Sequence, residues 1–174
     1  MKRPAGVAIL ILVILGIPDS PAFAAEDWGP LQFLIGQWTG DGGGDPGAGT
    51  GAFSFTPDVQ GKILIRKSFA AYPAANGKPA YRHDDFMVVY RDEGTRQLRA
   101  SYFDNEDHVI QYAVQGSDRG VVFVSDPSSN APRFRFTYTS TGKDQLSLKF
   151  EIAPPGKDFA PYITATAHRA GPAK

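Results

Sequence analysis

Apolar and polar residues alternate with a period of two along most of this chain. Phe53 and Phe55 alternate with Ala52, Ser54 and Thr56. Phe86, Val88 and Tyr90 interleave with Met87, Val89 and Arg91, and Phe134, Phe136 and Tyr138 with Arg133, Arg135 and Thr137. Leu146, Leu148, Phe150 and Ile152 do the same with Gln145, Ser147, Lys149 and Glu151. Side chains at i and i+2 share one face of a pleated strand, so the pattern predicts β-strands. Shorter runs of the same character cover residues 63–69, 98–102, 109–114, 121–124 and 162–169, and Trp38 opens another. Turn formers separate these runs, among them Asp58-Val59-Gln60-Gly61, Asn76-Gly77, Asp92-Glu93-Gly94 and Thr141-Gly142. Most are too short for a crossover helix, so sequential strands pair antiparallel. An open meander of roughly ten strands would leave two bare edges, and closure removes both. The predicted fold is all-β: an antiparallel up-and-down β-barrel of about ten strands, wide enough to hold a small ligand. One short helical turn precedes it over residues 28–35, with Asp27 as its cap, Pro30, Leu31, Phe33 and Leu34 within it, and Gly36 at its end. Residues 40–51 hold seven glycines in twelve positions and are expected to form a mobile loop or hairpin. They lack the Gly-Lys-Ser/Thr of a phosphate loop.

The first residues read as an address. Lys2 and Arg3 precede an apolar run over residues 7–15, Gly16-Ile17-Pro18 ends it, and Ala22-Phe23-Ala24 supplies a small-x-small cleavage pattern. This predicts a signal peptide over 1–24, cut after Ala24, and a single barrel domain over 25–174. The run is shorter than the ~20 apolar residues that span a bilayer. The expected location is therefore periplasmic or secreted, with no membrane insertion after cleavage. The chain has 174 residues with 18 basic and 18 acidic side chains, and losing Lys2, Arg3 and Asp19 leaves 16 and 17. That balance argues against a nucleic-acid partner. Cysteine is absent, which excludes disulfides, thiol nucleophiles and zinc-thiolate or iron–sulfur sites.

Gly36-Gln37-Trp38, a Gly-x-Trp opening the first strand after a helical turn, resembles the calycins, the lipocalins and their relatives. The resemblance implies that Trp38 plugs the closed end of the barrel and that Arg169 packs across it by cation–π contact. The extended pattern Gly36-x-Trp38-x-Gly40-x-Gly42 is more distantly similar to nitrobindin-type barrels, which hold haem, but Asp45-Pro46-Gly47 stands where those carry Tyr-Pro-Thr. Residues 83–90, 99–106, 108–112 and 149–156 resemble a bacterial lipocalin-like family of uncharacterised function. Fold likeness alone assigns no activity.

Candidate chemistry is sparse. His168 lies where the nitrobindin resemblance would place an iron ligand, but it shares parity with Thr164 and Thr166, opposite to Ile163, Ala165 and Ala167, and is expected to face solvent. His83 and His108 each end a strand beside carboxylates: Asp84 and Asp85 for the first, Asp104, Glu106 and Asp107 for the second. Such a group binds a metal or moves a proton, and the plainer reading is that these are polar turn residues. Asp84 and Asp85 are adjacent, so they point to opposite faces and form no acid/base dyad. Arg66 and Lys67 interrupt an apolar strand with opposite parity, so one cation enters the lumen. Arg66 is the choice, because its planar fork tolerates burial when paired, with Asp85 and the Tyr102 hydroxyl as partners. The opposing fact is that Lys67, not Arg66, shares parity with Ile63, Ile65 and Phe69.

The predicted function is non-enzymatic binding of a small, partly apolar molecule, with Arg66, Asp85, Tyr102, His83, His108 and Tyr112 as ligand contacts and Trp38 and Arg169 as closure. No cofactor, no metal ligand and no catalytic residue is predicted. Two alternatives remain open: a haem-binding barrel handling nitrogen oxides or peroxides, and a barrel isomerase or cyclase using His83 or His108.

Overall fold

The computed structural model describes residues 27–44, 47–75 and 77–171. The signal-peptide expectation over 1–24 lies outside the described residues. Ten strands follow a 3-10 turn at Gly29–Leu34: β1 (Gly36–Gly44), β2 (Gly49–Asp58), β3 (Ile63–Tyr72), β4 (Tyr81–Arg91), β5 (Leu98–Asp104), β6 (Val109–Ser117), β7 (Gly120–Ser125), β8 (Arg133–Gly142), β9 (Gln145–Ala153) and β10 (Ala160–Arg169). Each pairs antiparallel with its neighbours in sequence, and β1 pairs with β10, so the sheet closes on itself. The first and last strands join through the register Trp38↔Arg169 to Gly44↔Ile163.

Of the two readings of residues 40–51, the hairpin is the one found: β1 runs through Gly44 and β2 begins at Gly49, so most of these glycines sit in paired strands. Gly40 and Gly42 lie against β10 so closely that an added Cβ would overlap the carbonyl oxygens of Thr166 and Thr164. One expectation is corrected: the N-terminal turn is a 3-10 helix, and Trp28, not Asp27, holds the cap position. Asp27 still serves its start, since its Oδ1 accepts the Gly29 N–H at 2.8 Å.

One end of the barrel is plugged. The 3-10 turn lies there, burying Trp28, Leu31 and Leu34 with Trp38. Trp38 Nε1 donates to the Leu34 carbonyl at 2.9 Å, which satisfies the one polar atom of the indole. The Arg169 guanidinium sits 4.3 Å from the Trp38 ring centroid. Its Nη1 and Nη2 donate to the Ile35 and Phe33 carbonyls at 2.8 and 3.3 Å, and its Nε to Asp144 at 3.1 Å. One arginine thus ties the last strand to the turn before the first. Gly36 makes room for it: its φ is +127°, and a Cβ there would lie 2.5 Å from Arg169 Nη1. Above this plug the inward residues are large, including Phe55, Leu64, Met87, Val89, Phe123 and Tyr138, all fully buried. Edge-to-face contacts at 5.7 and 6.0 Å join Phe55 and Phe123 to Tyr138 in the floor of the lumen.

Truncating Trp38 to alanine removes one of the two indoles of this plug, with an expected loss of about 3–5 kcal/mol by chemical denaturation. Arg169→Ala should cost less, and most of its effect should vanish when Trp38 is already alanine. A double-mutant cycle reads that coupling.

Candidate functional site

Towards the other end the inward residues shrink. Gly40, Gly42 and Gly51, with Ala70, Ala165 and Ala167, leave one side of the lumen almost bare. Phe134, Phe136, Leu148 and Phe150 line another part, and the space between is a cavity of about 810 Å³. It reaches the end of the barrel where β4 begins and β5 stops, opposite the Trp38 plug.

Arg66 lies inside this lumen. On β3 it shares the inward face with Leu64, Ser68 and Ala70, while Lys67 is exposed outside. Arg66 is directly opposite Met87 and Ser68 opposite Asp85, so Arg66 reaches Asp85 along the strand diagonal. Its Nη1 donates to Asp85 Oδ1, and the two side chains are 3% and 5% exposed. The Phe53 and Phe136 ring centroids lie 5.7 and 5.5 Å from the guanidinium carbon. The apolar residues Ile63, Ile65 and Phe69 take the outer face instead, and Phe69 is covered by Arg82 at 4.0 Å.

Tyr102 is not a partner of Arg66. Its hydroxyl meets His83 Nε2 at 3.0 Å, because Tyr102 faces Met87 and His83 stands four residues nearer the mouth on the same face of β4. Burial pushes the Tyr102 phenol above its ordinary range, with the Arg66 charge opposing that rise. Asp104 stands directly across from Asp85, so two buried carboxylates face each other. Each has its own compensation: Asp85 has Arg66, and Asp104 accepts from the Glu106 and His108 amides at 2.9 and 3.0 Å and meets His108 Nδ1 at 2.9 Å. Burial works to raise the Asp104 pKa, but these hydrogen bonds outweigh it and hold the carboxyl below the usual range.

His83 occupies the centre of this group. Its Nε2 is 4.0 Å from Asp85 and 3.9 Å from Asp104, and its Nδ1 is 3.9 Å from Glu106. Tyr81 reaches His83 Nδ1 at 3.3 Å and donates to Glu106. His83, Asp104 and Glu106 offer donor atoms within 4.8 Å of one another, so they are the described residues best placed to hold a small cation. His108 is half-exposed on the lip. Deeper in, Tyr112 is fully buried and its hydroxyl has no hydrogen-bond partner among the described residues. The same holds for Arg66 Nε, while the Tyr138 hydroxyl lies beside the Arg66 guanidinium, which acts on it by charge and hydrogen bonding.

The six ligand candidates named from sequence therefore all line one cavity. Sequence reasoning missed Tyr81 and Tyr138 and named Asp104 and Glu106 only as neighbours of His108. Parity pointed to two of them, since Tyr81 follows His83 and Asp85 on one face, and Asp104 follows Tyr102. His168 is exposed on the outer face, while Ile163, Ala165 and Ala167 line the lumen. The haem that the more distant resemblance implies thus has no inward imidazole at that place, and those residues do not fit it.

A depressed carboxyl pKa in the folded state means that the unfolded chain takes up the proton first as the medium is acidified. The contribution of Asp104 is thus present above about pH 4 and lost as pH falls through its lowered folded value. Urea unfolding followed from pH 6 to pH 3 should show stability declining, with a shallower decline in Asp104→Asn.

Neither a protein-family model nor a curated protein matches the chain. Solved structures do. The crystal structure of Rv2717c from M. tuberculosis aligns with a TM-score of 0.57 at 15% identity, over 87% of this chain and 99% of that one. A de novo designed fluorescence-activating β-barrel aligns at TM-score 0.43 and 8% identity, over 82% and 99% of the two chains. A protein of unknown function of the DUF3598 family from Nostoc punctiforme aligns at TM-score 0.30 and 7% identity, over 83% and 99%. The likeness to Rv2717c lies in the fold: this chain is a closed, ten-stranded antiparallel barrel of the same kind.

Proposed function

We propose that this protein is an exported barrel of calycin type that binds a small, partly apolar molecule non-covalently in its lumen, after cleavage at Ala24. One observation carries the reading: a cavity of about 810 Å³, plugged at one end by Trp38 and Arg169 and bordered by aromatic rings and a few convergent polar groups. That combination is the ordinary make-up of a ligand pocket. A barrel that served only as a scaffold would gain stability by filling this space, because empty apolar volume costs packing energy. The export part of the proposal rests on the Lys2-Arg3, apolar-run and Ala22-Phe23-Ala24 pattern. A second reading, an isomerase or cyclase, is favoured by the 3.0 Å contact of His83 Nε2 with the Tyr102 hydroxyl, which places a proton-transfer pair in the same lumen.

N-phenyl-1-naphthylamine, an uncharged apolar fluorophore, tests lumen binding. The protein should give saturable one-to-one binding with a blue-shifted emission. Ala165→Trp, which fills the bare side of the cavity, should weaken binding at least tenfold while the circular dichroism stays that of the parent. Unchanged affinity in that variant, or in Ser68→Phe should the first fail to fold, would place the fluorophore elsewhere and overturn the reading.

A further inference from the structure

We infer that the deep end of the lumen selects an uncharged oxygen acceptor, the carbonyl of a ketone, ester or amide, and that Arg66 Nε–H and the Tyr112 hydroxyl donate to it. The inference rests on the small-molecule reading above and names its chemical class.

Two polar atoms on the cavity wall below the mouth have no hydrogen-bond partner among the described residues: Arg66 Nε and the Tyr112 hydroxyl. Arg66 and Tyr112 line the cavity, and both residues are buried. Tyr138 lies beside Arg66, whose charge and hydrogen bonding oppose the rise that burial imposes on its phenol. Arg66 also acts electrostatically on the Tyr112 phenol, again against burial. Buried donors left without an acceptor cost free energy, and native proteins rarely keep several in one place unless something occupies the site. The Nε–H is a donor only, and burial keeps both phenols protonated, so the group calls for an oxygen acceptor. The surrounding rings of Phe53 and Phe136 offer none.

Charge decides between a neutral acceptor and an anion. The Arg66 guanidinium is already neutralised by Asp85. Three carboxylates face the lumen and its mouth, Asp85, Asp104 and Glu106, against two cations, Arg66 and Lys78. A carboxylate or phosphate would have to pass that acidic mouth and end as a buried excess charge, which is costly. A carbonyl meets the same donors with no such penalty. A cation would be drawn to the mouth, where the acceptors are, and would leave the deep donors unmet.

Displacement of N-phenyl-1-naphthylamine by 2-decanone, decanoate and decane at pH 7.5 tests this. 2-Decanone should bind at least tenfold more tightly than decanoate. Tyr112→Phe should weaken 2-decanone about tenfold and leave decane unchanged. Arg66→Lys keeps the charge opposite Asp85 and removes the Nε–H, and should act in the same direction. Decanoate binding as tightly as the ketone would assign a charged head instead. Ketone affinity untouched by both substitutions would mean that the donors serve bound water, and either result overturns the inference while leaving lumen binding intact. If neither the fluorophore nor any of the three compounds binds, the small-molecule reading itself falls.

Discussion

An arginine inside a β-barrel is tolerated only where a fixed counter-charge meets it, and the position of that counter-charge constrains everything around it. Arg66 finds Asp85 on the neighbouring strand, both nearly inaccessible to water. Their pairing requires the β3–β4 register that puts Arg66 opposite Met87 and Ser68 opposite Asp85. A slip of one residue would turn Arg66 out and bring Lys67 in, with every other side chain of the strand. Once Asp85 points inward, so do His83 and Tyr81, and across β5 so do Asp104 and Tyr102. The polar half of the lumen is in this sense one consequence of a single ion pair. Such pairs contribute little net stability compared with a well-packed apolar replacement, which favours a role in recognition or register.

The cavity depends on a second constraint, the difference in side-chain size between the two ends. Near the plug, Trp38, Phe55, Phe123 and Tyr138 fill the cross-section. Nearer the mouth, Gly40, Gly42, Gly51 and Ala165 do not. The glycines permit the close approach of β1 to β10 that seals the barrel, and the same missing side chains leave the volume open. Closure and vacancy come from the same residues. Arg169 completes the arrangement by tying β10 to the N-terminal turn, so the open end is fixed as the one bearing the carboxylates.

Much of this was legible in the sequence, because strand periodicity is a local property. The period of two marked the strands, separated Phe53 and Phe55 from their polar neighbours, and turned His168 away from Ile163 and Ala165. In the glycine-rich first hairpin only the start at Trp38 read as strand and the rest stayed open between loop and hairpin, since alternation needs side chains to alternate and β1 offers few. Parity on β3 pointed both ways: its apolar residues Ile63, Ile65 and Phe69 favoured Lys67 as the inward cation, and only the buried carboxylate on β4 reverses that. The Asp85–Asp104 pairing and the contact of Tyr102 with His83 depend on inter-strand register, which no single strand encodes. The unpaired hydroxyl of Tyr112 becomes visible only when every nearby acceptor has been placed.

The central claim, that Arg66 and Asp85 form an ion pair inside the barrel, is open to one direct measurement. A double-mutant cycle on denaturant stability with Arg66→Met and Asp85→Leu separates a buried pair from two independent surface charges. Each single variant leaves a buried charge without its partner and should lose about 3–5 kcal/mol. The double variant should lose about 2–3 kcal/mol less than the sum of the two single losses, and that difference is the coupling. Losses that simply add, to within about 0.5 kcal/mol, would contradict the account and place the guanidinium in solvent.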